Sequence, residues 1–251
     1  MSNPGPAEQP ARIPVPPDTE PRIATILRHP FRAPQFVLDR WVYPRAFALL
    51  RGVQVSGRIL LKGWPLVEVV RGATVSLGDG VVLNSRNTDY HVNMHSPVKL
   101  FADRPGAEIR IGANSRIHGT CIHAHRSVRI GARCLVAANT QIFDGSGHDL
   151  SFPNVERRIH TRGTSKPIVI EDDVWVGANC IILPGVHVGR GAVLAAGSVV
   201  SQDIPPYSLA AGNPAKVVRR YGGDIPISHP SARPLTEDLR GASSRARGPG
   251  P

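Results

Sequence analysis

The sequence predicts an all-β solenoid, a parallel β-helix built from six-residue repeats, and three observations predict it. Residues 170–200 read IEDDVW, VGANCI, ILPGVH, VGRGAV, LAAGSV and then Val200, so an aliphatic recurs at Ile170, Val176, Ile182, Val188, Leu194 and Val200. A step of six is neither the 3.6 of a helix nor the 2 of an alternating strand. It fits coils of short strands and turns, with one aliphatic per repeat pointing at a common axis and stacked neighbours burying what one repeat cannot. In four of the five full repeats the next residue is neither bulky nor β-branched: Gly177, Gly189, Ala195 and, less ideally, Glu171. Finally, only 5% of residues are aromatic while Gly and Pro number 25 and 24. A narrow interior of Val, Ile, Leu and Ala, turned at many corners, requires that composition.

In chain order, residues 1–21 are rich in Pro and polar residues and read as a disordered leader. Residues 22–52 change character. Pro30, Pro34 and Pro44 divide them into short helices, with Phe36, Val37, Trp41, Phe47 and Leu50 apolar and Arg32, Arg40, Arg45 and Arg51 around them. Two roles fit: a helical cap that hides the strand edges of the first coil, or a basic amphipathic contact with a membrane surface. The cap is the reading taken. Residues 53–221 form the predicted β-helix. LGDGVV from Leu77, IGANSR from Ile111 and IGARCL from Ile130 repeat the aliphatic–Gly pattern, and Ile130, Val136 and Ile142 keep the step of six. From Ile111 to Ile130 is one residue more than three repeats, which predicts a bulge near Ile122. The register is lost between Asn84 and Ala107, and again over residues 145–167, a polar and charged excursion of the kind that carries function on a regular scaffold. DIPPYSLAAGNPAKVVRRY is a Pro-punctuated exit with a basic end, and residues 222–251 read as a disordered tail.

The net charge is +11, most of it within residues 52–221, which favours an anionic partner. No Lys/Arg block or aromatic platform points to nucleic acid. Cys121, Cys134 and Cys180 form no CxxC pair and suggest a reducing, cytoplasmic setting. MSNPGPAEQP lacks the basic and apolar regions of a signal peptide, and no apolar run reaches membrane-spanning length.

Three stretches, IFDGSGHDL, KPIVIEDDVWVGANCIILPGV and AAGSVVSQDIPPYSLAAGNPAKVVRR, resemble the hexapeptide-repeat acyltransferases, especially the galactoside, maltose and colanic-acid acetyltransferases. LNSRN and NMHSPVKL are similar to acyltransferases of polysaccharide gene clusters. The resemblance covers residues 53–221. It implies a left-handed parallel β-helix, an exception to the right-handed crossover rule, and a homotrimer using acetyl-CoA at sites between neighbouring subunits. It implies that His148, in Gly147-His148-Asp149, is the catalytic base, with Trp175, ahead of Gly177, beside the coenzyme. Backbone at Ala178, Ala195, Ala196 and Gly197 would contact pantetheine, and Lys216 and Arg219 supply the basic pair. The Thr-Lys that precedes Asp-Ile-Pro-Pro in the family reads Ser201-Gln202 here, and an Asn used on an earlier coil has no clean counterpart in IHGTCI.

The residues themselves suit this chemistry. Acyl transfer from a thioester needs a base, oxyanion donors and two substrates held together, and His titrates in the range the task demands. His148 stands at the mouth of the excursion, with Gly145 and Gly147 close before it. Asp144, Asp149 and Glu156 are candidates to orient its ring, and Arg157 and Arg158 could meet an acidic acceptor. Trp175 points outward by alternation, and Lys216, Arg219 and Arg220 suit phosphates. No metal is required.

Three other readings compete. His123 and His125 share a strand face, as metal ligands on one strand do, and His118-x4-His123 resembles the pair in γ-class carbonic anhydrases. The upstream His of that site would fall at Val82, and neither His91 nor His95 restores the spacing. A sugar nucleotidyltransferase needs a nucleotide-binding domain that the 52 residues before the first coil are too few to form. A non-catalytic scaffold would have no reason to combine a Gly-flanked His, an outward Trp and a basic exit. The sequence therefore predicts acetyl-CoA-dependent O-acetylation of a sugar hydroxyl in polysaccharide or glycan biosynthesis.

Overall fold

The computed structural model describes residues 31, 33–88 and 90–221. The predicted leader, the predicted tail and the first part of the predicted cap lie outside the described residues. From Val53 onward the chain is a left-handed parallel β-helix of hexapeptide repeats with three sheets, named A, B and C in the order the chain visits them. Sheet A stacks Val53–Val55, Thr74–Leu77, Glu108–Ile111, Ser127–Ile130, Ile168–Ile170 and His187–Val188. Sheet B stacks Leu60–Lys62, Val82–Asn84, Arg116–His118, Leu135–Val136, Trp175–Val176, Val193–Leu194 and Ser208–Gly212, then closes with Ala215–Arg220, which returns antiparallel. Sheet C stacks Leu66–Val69, Lys99–Ala102, Cys121–Ala124, Gln141–Phe143, Ile181–Ile182 and Val199–Val200.

The step of six becomes three columns of aliphatics. Ile111, Ile130, Ile170 and Val188 align in sheet A. Ile117, Val136, Val176 and Leu194 align in sheet B, and Ile122, Ile142, Ile182 and Val200 in sheet C. All twelve are at most 2% exposed, so each contributes the roughly 1.5–3 kcal/mol of a fully buried aliphatic. The small residue after each aliphatic is explained at Gly177, where an added Cβ would lie 2.5 Å from the Ala196 backbone nitrogen on the next coil. At the B–C corner, Asn139, Asn179 and Gly197 take φ of 63°, 58° and 74° at matching positions, a conformation that Asn and Gly adopt most readily.

The extra residue between Ile111 and Ile130 is not a bulge at Ile122. The B–C corner of that coil is one residue shorter than its successor, with Gly119 at φ 45°, and the C–A corner after Ala124 is longer. The wider turn carries His125, which is buried there.

The cap region shows a helical run: an α-helix Ala33–Val37, a π-helical turn Leu38–Val42 and an α-helix Tyr43–Ala48. Pro44 falls where the last of these short helices begins, as expected, although helical backbone runs on through it. It occupies the first turn of the last helix, where a missing N–H is tolerated, and the wider turn precedes it. Phe47 is fully buried and meets the Trp64 ring edge-on at 6.2 Å. Buried Asp39 pairs with Arg86 and accepts the Gly63 N–H at 3.1 Å, fastening the run to the early coils. Trp41 and Val37, expected among the apolar contacts, are about half exposed.

Candidate active site

The excursion leaves sheet C after Phe143 and re-enters sheet A at Ile168, so it stands on the C–A corner. Its two legs pair antiparallel. Ser146 N–H donates to the Thr164 carbonyl at 3.1 Å, Gly163 N–H to Gly147 at 3.3 Å and Lys166 N–H to Asp144 at 2.7 Å. Gly163 is obligatory here, because a Cβ on it would lie 1.9 Å from the Ser146 carbonyl oxygen. Gly145 has a different reason to be glycine than ligand approach: a Cβ would lie 2.2 Å from His125 Nδ1. Gly147 faces open space.

His148 is exposed on the first leg. Its Nδ1 lies 2.9 Å from the backbone carbonyl of Arg158, which belongs to the 3₁₀ helix Val155–His160. A carbonyl only accepts, so Nδ1 is the donor, and in the neutral ring this leaves the lone pair on Nε2, the tautomer a base needs. The same carbonyl accepts the Thr161 hydroxyl at 2.8 Å. The ring is thus oriented by backbone and not by the carboxylates considered above. Asp144 is fully buried and accepts the backbone N–H groups of His125, Arg126 and Ser127 at 2.6, 2.8 and 2.6 Å. It is a strut under the excursion. The Arg158 guanidinium donates to the Leu150 carbonyl at 2.8 and 3.1 Å and lies over the Phe152 ring, which fixes its direction.

The other predicted residues gather on sheet B and its corner with sheet C. Gly177, Ala178, Ala195, Ala196 and Gly197 form stacked turns of adjoining coils, joined by the Gly177 N–H to the Leu194 carbonyl and the Gly197 N–H to the Ala178 carbonyl, both 2.8 Å. Trp175 is 55% exposed on the outer face. It lies in one row of register partners, Leu135, Trp175, Val193, Leu209 and Arg219. At roughly 4.8 Å per strand, Trp175 and Arg219 are about 14 Å apart along that row. Lys216 is exposed on the same final strand, and the Arg219 guanidinium stacks on Tyr221 at 5.1 Å. Ser201 is exposed just past the final sheet C strand. Within one chain His148 does not join this group: the C–A corner is the one corner that sheet B does not touch.

His118 and His123, paired in the rival metal reading, stand on different sheets, B and C. His118 stacks on Tyr90 at 4.4 Å. His123, on the outer face of sheet C, and His125, just past the end of that strand, do lie together, with Asp103 of the preceding coil beside them. Burial holds His125 below the ordinary imidazole value, against the opposing pull of Asp103. Sequence reading did not single out Asp103. The signal was available in Ala102-Asp103-Arg104 and Ala124-His125-Arg126, which stack as equivalent turns.

The comparisons with known proteins follow from this architecture. The family model described as the hexapeptide repeat of succinyl-transferase matches residues 108–143 and 167–202. A Saccharomyces cerevisiae protein provisionally named an acetyltransferase is 41% identical over 116 residues, 46% of this chain and 57% of its own length. The chain thus spans little more than half of that curated relative. A polySia-specific acetyltransferase of known structure is 30% identical over 77% of each chain, with a TM-score of 0.43. An N-acyltransferase from Bacillus cereus, solved with dTDP and 3-hydroxybutyryl-CoA, is 17% identical; the match covers 68% of this chain and 85% of that one, with a TM-score of 0.53, a likeness of fold. The chain carries the hexapeptide repeat that this family model describes, and the relatives that share it are named as acetyltransferases.

Proposed function

We propose that this chain transfers an acetyl group from acetyl-CoA to a sugar hydroxyl, with His148 as general base. The observation that carries the reading is the His148 ring, whose Nδ1 donates to the Arg158 carbonyl and whose Nε2 faces outward from an exposed lip as the atom that would take the proton. In the reaction Nε2 takes the proton of the acceptor hydroxyl as its oxygen attacks the thioester carbonyl carbon. The tetrahedral intermediate then collapses, the carbon–sulfur bond breaks, and the proton passes to the departing thiolate of CoA. The coenzyme would lie along sheet B. Trp175 and the stacked turns at Ala178 and Ala195–Gly197 would flank pantetheine, Ser201 would lie near the same end, and Lys216 and Arg219 would hold phosphate.

Because His148 and the Trp175–Arg219 row occupy opposite parts of one prism, a complete site needs sheet B of one chain against the C–A corner of another. That requirement supports a homotrimer with sites shared between subunits. The sugar acceptor rests on the resemblance to galactoside, maltose and colanic-acid acetyltransferases, and a place in glycan synthesis rests on the same footing.

The test is release of CoA thiol from acetyl-CoA across a panel of sugar and amino-sugar acceptors, with product mass as readout. His148→Ala should lower turnover 10²–10⁴-fold, the usual contribution of a positioned base, with assembly and CoA affinity kept. Near-normal turnover in His148→Ala would refute the mechanism.

A further inference from the structure

The two histidines that the acyl-transfer reading leaves unused, His123 and His125, meet Asp103 at a built site. His123 stands on the outer face of sheet C, and Asp103 and His125 follow directly on the ends of their strands at the turn toward sheet A, on two adjoining coils. Asp103 Oδ2 lies 3.1 Å from His123 Nε2 and 3.4 Å from His125 Nε2. One ligand atom from each residue lies within 4.8 Å of the other two. An ion with bonds of about 2.0–2.2 Å and tetrahedral angles separates its ligand atoms by roughly 3.4 Å. Two of the three edges are therefore already set, and the third, between the two imidazoles, is within 4.8 Å.

The polar atoms here are unsatisfied in a way that a simple ion pair does not remedy. His123 Nε2 is buried and has no hydrogen-bond partner although Asp103 is close, because the direction is wrong for a hydrogen bond. Asp103 Oδ1 is also buried without a hydrogen-bond partner, and the nearest cation, Arg104 Nε, stands 3.9 Å away. The His125 side chain is 5% exposed and its Nδ1 has no partner either. Buried polar groups are normally paired. Packing holds the rings in place: His123 stacks on Phe101 at 4.6 Å and meets His125 edge-on at 4.6 Å. Gly145 leaves the space that His125 occupies.

We infer that Asp103, His123 and His125 bind a first-row divalent cation of the zinc class. Two imidazoles and one carboxylate are the donors that such ions favour over magnesium or calcium. The three ligands leave at least one position open for water. The ion ties two coils together directly beneath the root of the excursion, where Asp144 holds the backbone of His125, Arg126 and Ser127. Its role is to fasten that root. It differs from the carbonic anhydrase pair in using His125 and Asp103 with His123 and leaving His118 out, and it does not depend on the acyl-transfer reading.

Untagged full-length protein, stripped with chelator and titrated with Co²⁺, should develop visible d–d absorption saturating at one ion per chain. Zn²⁺ should quench that absorption by displacement and raise the melting temperature. His123→Gln and Asp103→Asn should each weaken Co²⁺ binding at least about tenfold, as loss of even supporting contacts does. His123 is partly exposed, so His123→Gln is expected to fold, and its far-ultraviolet circular dichroism establishes that. His160→Ala, in the excursion, should bind like the parent. Absence of Co²⁺ and Zn²⁺ binding by the stripped parent protein at 100 µM (about the range of weak sites) overturns the inference. Unchanged affinity in a folded His123→Gln overturns it equally.

Discussion

Replacing Asp144 by alanine tests whether this carboxylate is a strut or a catalytic partner. Its two oxygens accept three backbone N–H groups, from His125, Arg126 and Ser127, at 2.6–2.8 Å, and its side chain is fully buried. Alanine leaves those donors facing an apolar methyl. Arg126 is exposed enough for water to serve its N–H, while His125 is buried and Ser127 partly so. Each orphaned buried donor costs about 1–3 kcal/mol, so two give roughly 2–6 kcal/mol, a large part of the 5–15 kcal/mol total typical of a domain. At about 2–4 °C per kcal/mol for a domain of this size, a loss near the middle of that range lowers the melting temperature by roughly 8–16 °C. Urea denaturation and thermal melts followed by circular dichroism measure both quantities. His148 should keep its contact to Arg158 in the folded fraction, so turnover per folded molecule should fall far less than in His148→Ala. A variant as stable as the parent but inactive would refute the strut and return Asp144 to the list of groups that act on the imidazole.

Other outcomes follow from the same geometry. Trp175→Ala and the double change Lys216→Ala/Arg219→Ala should weaken CoA binding by calorimetry, the latter by about tenfold to a hundredfold per phosphate contact of 1.5–3 kcal/mol, while phosphate-free pantetheine is affected only by the loss of Trp175. Gly163→Ala forces the excursion legs apart at the Ser146 carbonyl; turnover should collapse while the melting temperature of the prism changes little. Burial pushes the Cys134 thiol up to about 11 and raises those of Cys121 and Cys180, so at pH 8 all three should react with a chromogenic disulfide far more slowly than free cysteine, and at once in guanidinium. Light scattering should give three times the chain mass, and a stable monomer at micromolar concentration would sink the shared site.

The columns of the prism were legible because burial in a solenoid imposes one period on every coil. Ile170, Val176, Ile182, Val188, Leu194 and Val200 could be placed without knowing any partner. Where a corner lengthens, that logic fails. Lys99–Ala102 lies in perfect register with Cys121–Ala124, yet the long corners on either side hid it from a search for sixes. Pro44 marked a boundary between short helices, but a sequence does not say that helical backbone runs on across such a boundary. At the site, the Gly-His-Asp element marked His148, but its partner is a main-chain carbonyl ten residues away, and any residue type can supply a carbonyl. Asp144 stood among the candidates to orient that ring for a similar reason: a carboxylate near a histidine in sequence carries no sign that three N–H groups have already claimed it.

The antiparallel return of Ala215–Arg220 has a colloidal consequence. A stack of parallel strands ends in a ladder of unpaired amides, and such an edge invites another molecule to continue the sheet. On sheet B the outermost strand is instead one that carries Lys216, Arg219 and Arg220, all exposed. Two such ends brought together set like charges opposite each other across a single strand spacing of about 4.8 Å. Substituting these cations to study coenzyme affinity therefore also removes a guard against end-to-end polymerisation, and the neutralised protein should form filaments at concentrations where the parent stays dispersed.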